Sequence, residues 1–137
     1  MTVVGFNFTK ILVEKKNQSK GKINIGNNVA ILGIEESTFS FGEEEQDTLK
    51  IMFQFTSRYE PEVGSIDLIG DLVYIDSKPR IKEVLANWKE KKKVDQEVMT
   101  EILTVILNRC NIQALILARD INLPSPIPLP KVKVENK

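Results

Sequence analysis

The chain has 137 residues, and its 19 lysines and arginines balance its 19 aspartates and glutamates, so its formal net charge is zero. A chain of this length suits one domain that buries roughly two-thirds of its unfolded surface. Zero net charge gives no electrostatic reason to expect nucleic acid as a partner. The sequence contains no histidine, which excludes an imidazole base, a histidine metal ligand and a serine–histidine triad.

Cellular location is predicted from the single cysteine, Cys110. One cysteine cannot form an intrachain disulfide, which is typical of a protein in a reducing compartment. The first residues carry their charges after the apolar part, unlike a signal peptide. No stretch reaches the ~18 unbroken apolar residues of a membrane helix. We therefore expect a cytoplasmic protein without membrane insertion.

Four extended segments separated by short turns occupy the first half of the chain. They cover residues 3–16, 22–41, 48–59 and 65–76. The third segment is the clearest, because Leu49, Ile51 and Phe53 alternate with polar residues. A break in the alternation near Ile11 predicts a β-bulge in the first segment. The pattern predicts an α+β fold built on a four-stranded antiparallel meander with one apolar face.

Two helices are predicted after the strands, both packed on that face. Residues 79–93 form the first, with Trp88 on its apolar side, and residues 96–119 form the second, with Asp95 as its N-cap. The apolar arc of the second helix is far wider than the ~100° that packing on a sheet requires. We therefore expect a homodimer or homotetramer, with helices paired about a two-fold axis. The predicted interface residues are Val98, Ile102, Val105 and Ile106. Alternatively, the first helix and the tail cover this arc within one chain.

The C-terminal tail has prolines at every second position from 124 to 130, interspersed with apolar residues. Proline cannot donate a backbone hydrogen bond, so the tail is predicted to be an extended strip that offers no edge for strand pairing. We expect one domain over residues 1–137. It comprises a sheet over 1–76, helices over 77–119 and the extended tail over 120–137.

Residue types suited to catalysis are scarce, and we expect neither an enzyme nor a cofactor or metal site. The glycines of residues 21–28 lack the spacing of a phosphate-binding loop. The acidic groups Glu35–Glu36 and Glu43–Glu45 fit a solvated loop better than a cation site, because no calcium-loop spacing is present. Phe39 and Phe41, beside the acidic turn, either close the end of the core or form an exposed apolar patch.

The order of these elements resembles the SecB family of protein-export chaperones. The strand pair over residues 49–75 carries the family's apolar–x–apolar–Gly–x–apolar run around Ile69, Gly70 and Leu72. At the C-terminus, Ala118–Arg119 and then Leu123–Pro124 resemble the end of the family's long helix and its following segment. In contrast to the family, the chain is neutral where the family is typically acidic. It also lacks a zinc-binding tail.

The resemblance implies a SecB-like holdase that binds non-native polypeptides in apolar grooves, assembles as a dimer of dimers and acts in protein transport. The candidate polypeptide-binding residues are Phe39, Phe41 and Trp88. The alternative is a structural or adaptor subunit of the same fold that binds one folded partner. An enzyme that uses the acidic loops ranks last, because it would depend on carboxylates and lysines alone.

Overall fold

The computed structural model describes residues 2–16, 21–91 and 93–127. The predicted α+β architecture, a four-stranded antiparallel sheet followed by two helices, is confirmed. The strands are β1 (Thr2–Lys15), β2 (Asn24–Phe41), β3 (Glu44–Glu60) and β4 (Gly64–Ile75). The helices are α1 (Lys78–Lys91) and α2 (Gln96–Asp120).

The strand order, β1-β4-β3-β2, differs from a simple meander. Strands β2, β3 and β4 do follow one another as hairpins, but β1 pairs antiparallel with β4. The end of β1 and the start of β2 lie at the same end of the sheet, where Lys15 faces Gly64 and Asn24 faces Glu60. Strands β1 and β2 are therefore the two edge strands of the sheet, an arrangement that hydrophobic alternation within a strand cannot reveal.

One face of the sheet, called here the inner face, holds the core. Burial along β4 alternates at every residue, as the period of two in a strand requires. The inner side chains of β3 and β4 are all essentially inaccessible: Leu49, Ile51, Phe53, Phe55, Tyr59, Ile66, Leu68, Leu72 and Tyr74. The predicted alternation of these two strands is confirmed.

Edge strand β1 bends across β4 through two register shifts, between Val3 and Gly5 and between Phe8 and Lys10. The second shift accounts for the break in alternation that the sequence shows near Ile11. Opposite Phe8 lies Gly70, where a Cβ atom would stand 2.1 Å from the Asn7 carbonyl oxygen. The close approach of β1 therefore requires glycine at this position of β4.

Helix α2 packs on β1, β4 and β3, whereas α1 packs on β2 and β3. The buried residues of α2 follow each other at i, i+4 spacing and form one row: Val98, Ile102, Ile106, Cys110, Ala114 and Ala118. The guanidinium carbon of Arg109 lies 5.0 Å from the centre of the Phe6 ring, within cation–π range. By length and composition α2 could also cross a membrane, but a core helix meets the same criteria, and this row packs on the sheet.

Asp95 is the N-cap residue of α2, as predicted, and its carbonyl accepts a hydrogen bond from the Met99 amide, but its side chain makes no capping hydrogen bond. Its carboxylate instead accepts a 2.6 Å hydrogen bond from Arg80 of α1. Arg80 also lies within 4 Å of the carboxylates of Glu83 and Glu97. The Asp95 carboxylate therefore forms an ion pair with α1 and does not cap α2.

Helix α2 ends in a Schellman motif. The Leu123 amide donates to the Ala118 carbonyl, and the Asn122 amide donates to the Arg119 carbonyl. Asn122 has φ +58°, the left-handed conformation that this motif needs and that asparagine tolerates. The motif turns the chain back onto the sheet. Residues 123–127 then cross the inner face from β4 toward β2, and we call them the strap.

Candidate polypeptide-binding surface

Three of the four predicted interface residues lie in the core of their own chain. Val98, Ile102 and Ile106 are at most 1% exposed, and Val105 is partly buried. The buried row of α2 uses these side chains to cover the sheet. These three side chains are therefore not available to contact another copy of the chain.

The solvent-facing side of α2 is partly apolar. Leu107, Ile112 and Ile116 are 38%, 60% and 41% exposed. Ile112 and Ile116 follow Thr100, Thr104 and Asn108 at i+4 spacing, on the row opposite the buried one. An apolar patch of this kind at the C-terminal half of a helix is typical of a binding surface.

A cavity of about 500 Å³ opens beside this patch. Its lining comes from the last turns of α2 and from the strap and is mainly apolar: Leu115, Ile116, Ala118, Arg119, Asn122, Leu123 and Ser125. Apolar walls with a few polar groups at the rim are what a site for an apolar side chain requires. Ile116 belongs to both the cavity and the exposed patch, so the two form one continuous surface.

A second concavity, of about 630 Å³, lies where β2 and β3 adjoin near the Glu60 end of the sheet. Its lining is mostly polar and includes Asn28, Gln54, Thr56 and Arg58. Among the described residues, Ile25 is the one large apolar residue of that lining, whereas Leu115, Ile116 and Leu123 line the cavity beside α2. The cavity beside α2 is therefore the stronger candidate for binding polypeptide.

Side chains of the sheet hold the strap through its carbonyl groups. The Tyr59 hydroxyl donates a 2.6 Å hydrogen bond to the Pro124 carbonyl. The Asn27 amide donates a 2.8 Å hydrogen bond to the Pro126 carbonyl. The Ser57 hydroxyl donates to the Asn27 amide oxygen at 2.7 Å and so orients that side chain.

Burial raises the pKa of three titratable side chains of the core. It raises the pKa of Tyr59 to about 12, and the Ser57 hydroxyl acts in the opposite direction. Burial also raises the pKa of the Cys110 thiol to about 12, so this cysteine remains an unreactive thiol at neutral pH. Tyr74 lies 3.3 Å from carboxylate oxygens of both Asp76 and Glu101, and burial together with these charges raises its pKa.

The three residues predicted to bind polypeptide lie in two different elements of the structure. The backbone of Phe39 and Phe41 lies in β2, but their side chains fall outside the described part of the structure. Trp88 is partly buried and packs against the core from α1. Trp88 is not among the described residues that line the cavity beside α2. The residues that do line it were not predicted, because the helix pattern alone did not reveal which apolar row remains exposed.

The acidic residues do not form a metal site in the described residues. Across residues 2–16, 21–91 and 93–127, no group of three or more aspartate, glutamate, cysteine or histidine side chains is placed to hold a metal ion. Glu35, Glu36, Glu43 and Glu45 are exposed. Their exposure was expected, but the predicted loop position holds only for Glu43, because Glu35 and Glu36 lie in β2 and Glu45 lies in β3.

We predict that Tyr59→Phe lowers the free energy of unfolding by about 0.5–1.5 kcal/mol at pH 8, because the hydrogen bond to the Pro124 carbonyl is lost. A raised tyrosine pKa stabilises the folded state fully below the unfolded value near 10, and this contribution is lost as pH rises toward 12. The difference between wild type and variant in urea unfolding should therefore shrink between pH 10 and 12. A difference that stays constant over that range would contradict this assignment.

Comparison with known proteins supports the fold. No protein-family model matches the chain, and no curated protein does. Among solved structures, it is similar to the SecB-like chaperone Rv1957 of Mycobacterium tuberculosis in complex with a ChAD peptide from the Rv1956 HigA1 antitoxin. The TM-score is 0.54 and the identity 10%, over 98% of this chain and 92% of that chain. At this identity the likeness establishes a distant relationship of fold: the chain has a SecB-like α+β fold.

Proposed function

We propose that the protein is a SecB-like holdase that binds non-native polypeptides at the apolar surface of Ile112, Ile116 and the adjoining cavity. The observation that carries this proposal is the continuity between the exposed isoleucines and the mainly apolar 500 Å³ cavity. Binding would need no catalytic residue and no cofactor. Its free energy would come from burial of apolar side chains.

The size of this surface suits reversible binding of many polypeptides. Full burial of one large aliphatic side chain contributes about 1.5–3 kcal/mol. Micromolar affinity corresponds to a binding free energy of about −8 kcal/mol. Several such contacts are needed together to reach this value, because the cost of ordering the ligand is subtracted from their sum. Because apolar burial is not directional, the surface would select extended apolar segments in general.

The similar structure supports the proposal, because Rv1957 is a chaperone in complex with a peptide. Phe39, Phe41 and Trp88 remain predicted contributors to polypeptide binding. A cytoplasmic location and a role in protein transport also remain predictions. Neither is needed for the holdase mechanism.

We also propose a homodimer or homotetramer in which Leu103 and Leu107 of α2 face another copy. These residues lie one position after the buried Ile102 and Ile106, on the flank of the helix, and Leu107 is 38% exposed. This flank is apolar and distinct from the row that bears Ile112 and Ile116. An assembly through it would leave the polypeptide-binding surface open.

Light scattering on the wild type and on Leu107→Glu tests the assembly. We expect a wild-type mass of two or four chains and a lower mass for the variant, because a buried unpaired carboxylate is costly. Gln113→Glu, on the other flank of α2, adds the same charge as the matched control and should keep the wild-type mass. A monomeric wild type would overturn this proposal.

The holdase activity is tested by following aggregation of lysozyme unfolded by reduction. We expect the wild type to suppress aggregation at stoichiometric amounts and the double variant Ile112→Ser/Ile116→Ser to suppress it several-fold less. The control double variant Ile11→Ser/Leu32→Ser removes comparable exposed apolar surface, since these residues are 46% and 51% exposed. It should suppress aggregation as the wild type does.

Failure of the wild type to suppress aggregation would contradict the holdase proposal. Affinity purification that returns one stoichiometric folded partner would then favour the alternative, an adaptor subunit of the same fold. Equal losses in the two double variants would show that the cavity surface has no special role.

A further inference from the structure

We infer that the groove beneath the strap is a second polypeptide-binding site, which residues 123–127 occupy in the free protein and from which a bound polypeptide displaces them. The inference rests on the proposed function and concerns its regulation. The strap would act as a tethered competitor. The affinity for polypeptide would then depend on how firmly the strap is held.

The hydrogen bonds that hold the strap do not depend on its sequence. Tyr59 and Asn27 donate to the carbonyls of Pro124 and Pro126, two residues apart. Any extended polypeptide presents carbonyls with this spacing, because alternate residues of an extended chain point the same way. The groove therefore donates hydrogen bonds to main-chain carbonyls. It requires neither a particular side chain nor an amide hydrogen on the residue that supplies the carbonyl.

Two apolar contacts add selectivity for side chains. Leu123 is 7% exposed and Pro126 is also buried, whereas Pro124 is exposed. Beneath Leu123 lies Gly64, where a Cβ atom would stand 3.3 Å from the leucine Cδ1 and 2.5 Å from the Glu14 carbonyl oxygen. The favoured partner is therefore an extended, uncharged segment with apolar residues three positions apart.

The strap is held weakly enough to be displaced. Among residues 2–16, 21–91 and 93–127, no backbone-to-backbone hydrogen bond joins residues 124–127 to the sheet. The proline at position 126 has no amide hydrogen with which to form one. Release of the strap would break two side-chain hydrogen bonds and two apolar contacts, and would leave every strand pair of the sheet intact.

The position of the strap couples this groove to the cavity beside α2. Leu123 and Ser125 belong to the strap and also line that cavity. A polypeptide in the cavity therefore touches the strap directly. Once the strap leaves, the cavity and the groove become one longer site, which suits an extended ligand better than either part alone.

The test compares the affinity of four forms for reduced, carboxymethylated lysozyme, a permanently unfolded polypeptide, by fluorescence anisotropy. The strap variant Pro126→Ser removes a buried strap contact and leaves the described cavity lining unchanged. It should bind several-fold more tightly than wild type, because a larger fraction of molecules has an open groove. Pro124→Ala changes an exposed strap side chain and should bind as wild type does. The groove variant Asn27→Ala/Tyr59→Phe should not gain affinity, since it weakens strap and ligand alike.

An unchanged or lower affinity of a folded strap variant would overturn the inference and leave the proposed function standing. No binding by any form, wild type included, would overturn both. If a variant does not fold, an NMR measurement on the wild type tests the inference without it. In NMR spectra, the amide resonances of Leu123, Ser125 and Ile127 should move to random-coil positions when unfolded lysozyme saturates the protein; native positions would overturn the inference.

Discussion

The structure depends on covering one apolar face of a single four-stranded sheet. The inner side chains of β3 and β4 are almost wholly buried, and only α1, α2 and the strap are available to bury them within the described chain. The i, i+4 row of α2 from Val98 to Ala118 covers the β1–β4–β3 side. Small residues at its C-terminal end, Ala114 and Ala118, let the helix lie close to the sheet. Because this row of α2 faces the sheet, the apolar residues on the other rows of the helix cannot also be buried in the core.

The candidate site follows from the way α2 packs on the sheet. Helix α2 is apolar on more than one row, so Ile112 and Ile116 remain exposed after the core is complete. The Schellman motif at Asn122 then turns the chain and places the strap beside them, which creates the cavity. An exposed apolar surface lowers solubility unless it has a ligand. A protein that holds non-native polypeptides uses this property.

Much of the fold could be predicted from local patterns, and much of the site could not. Alternation in residues 49–59 and 65–75 gave the central strands, since the period of two is a property of each strand alone. The position of β1 beside β4 and the bond from Tyr59 to Pro124 depend on contacts between residues far apart in sequence. The helix pattern predicted that apolar residues would be left over on α2, but it selected Val98, Ile102 and Ile106 because periodicity cannot distinguish the row that meets the sheet. The sequence located the N-cap of α2 at Asp95, but it could not show that Arg80 of another helix binds the Asp95 carboxylate.

The central claim is that the protein recognises polypeptides because they are unfolded. The most direct measurement is isothermal titration calorimetry of the wild type with two forms of one protein, native lysozyme and its reduced, carboxymethylated form. We predict binding of the unfolded form with a negative heat-capacity change, the mark of apolar burial, and no binding of the native form. Equal binding of both forms, or of neither, would contradict the account.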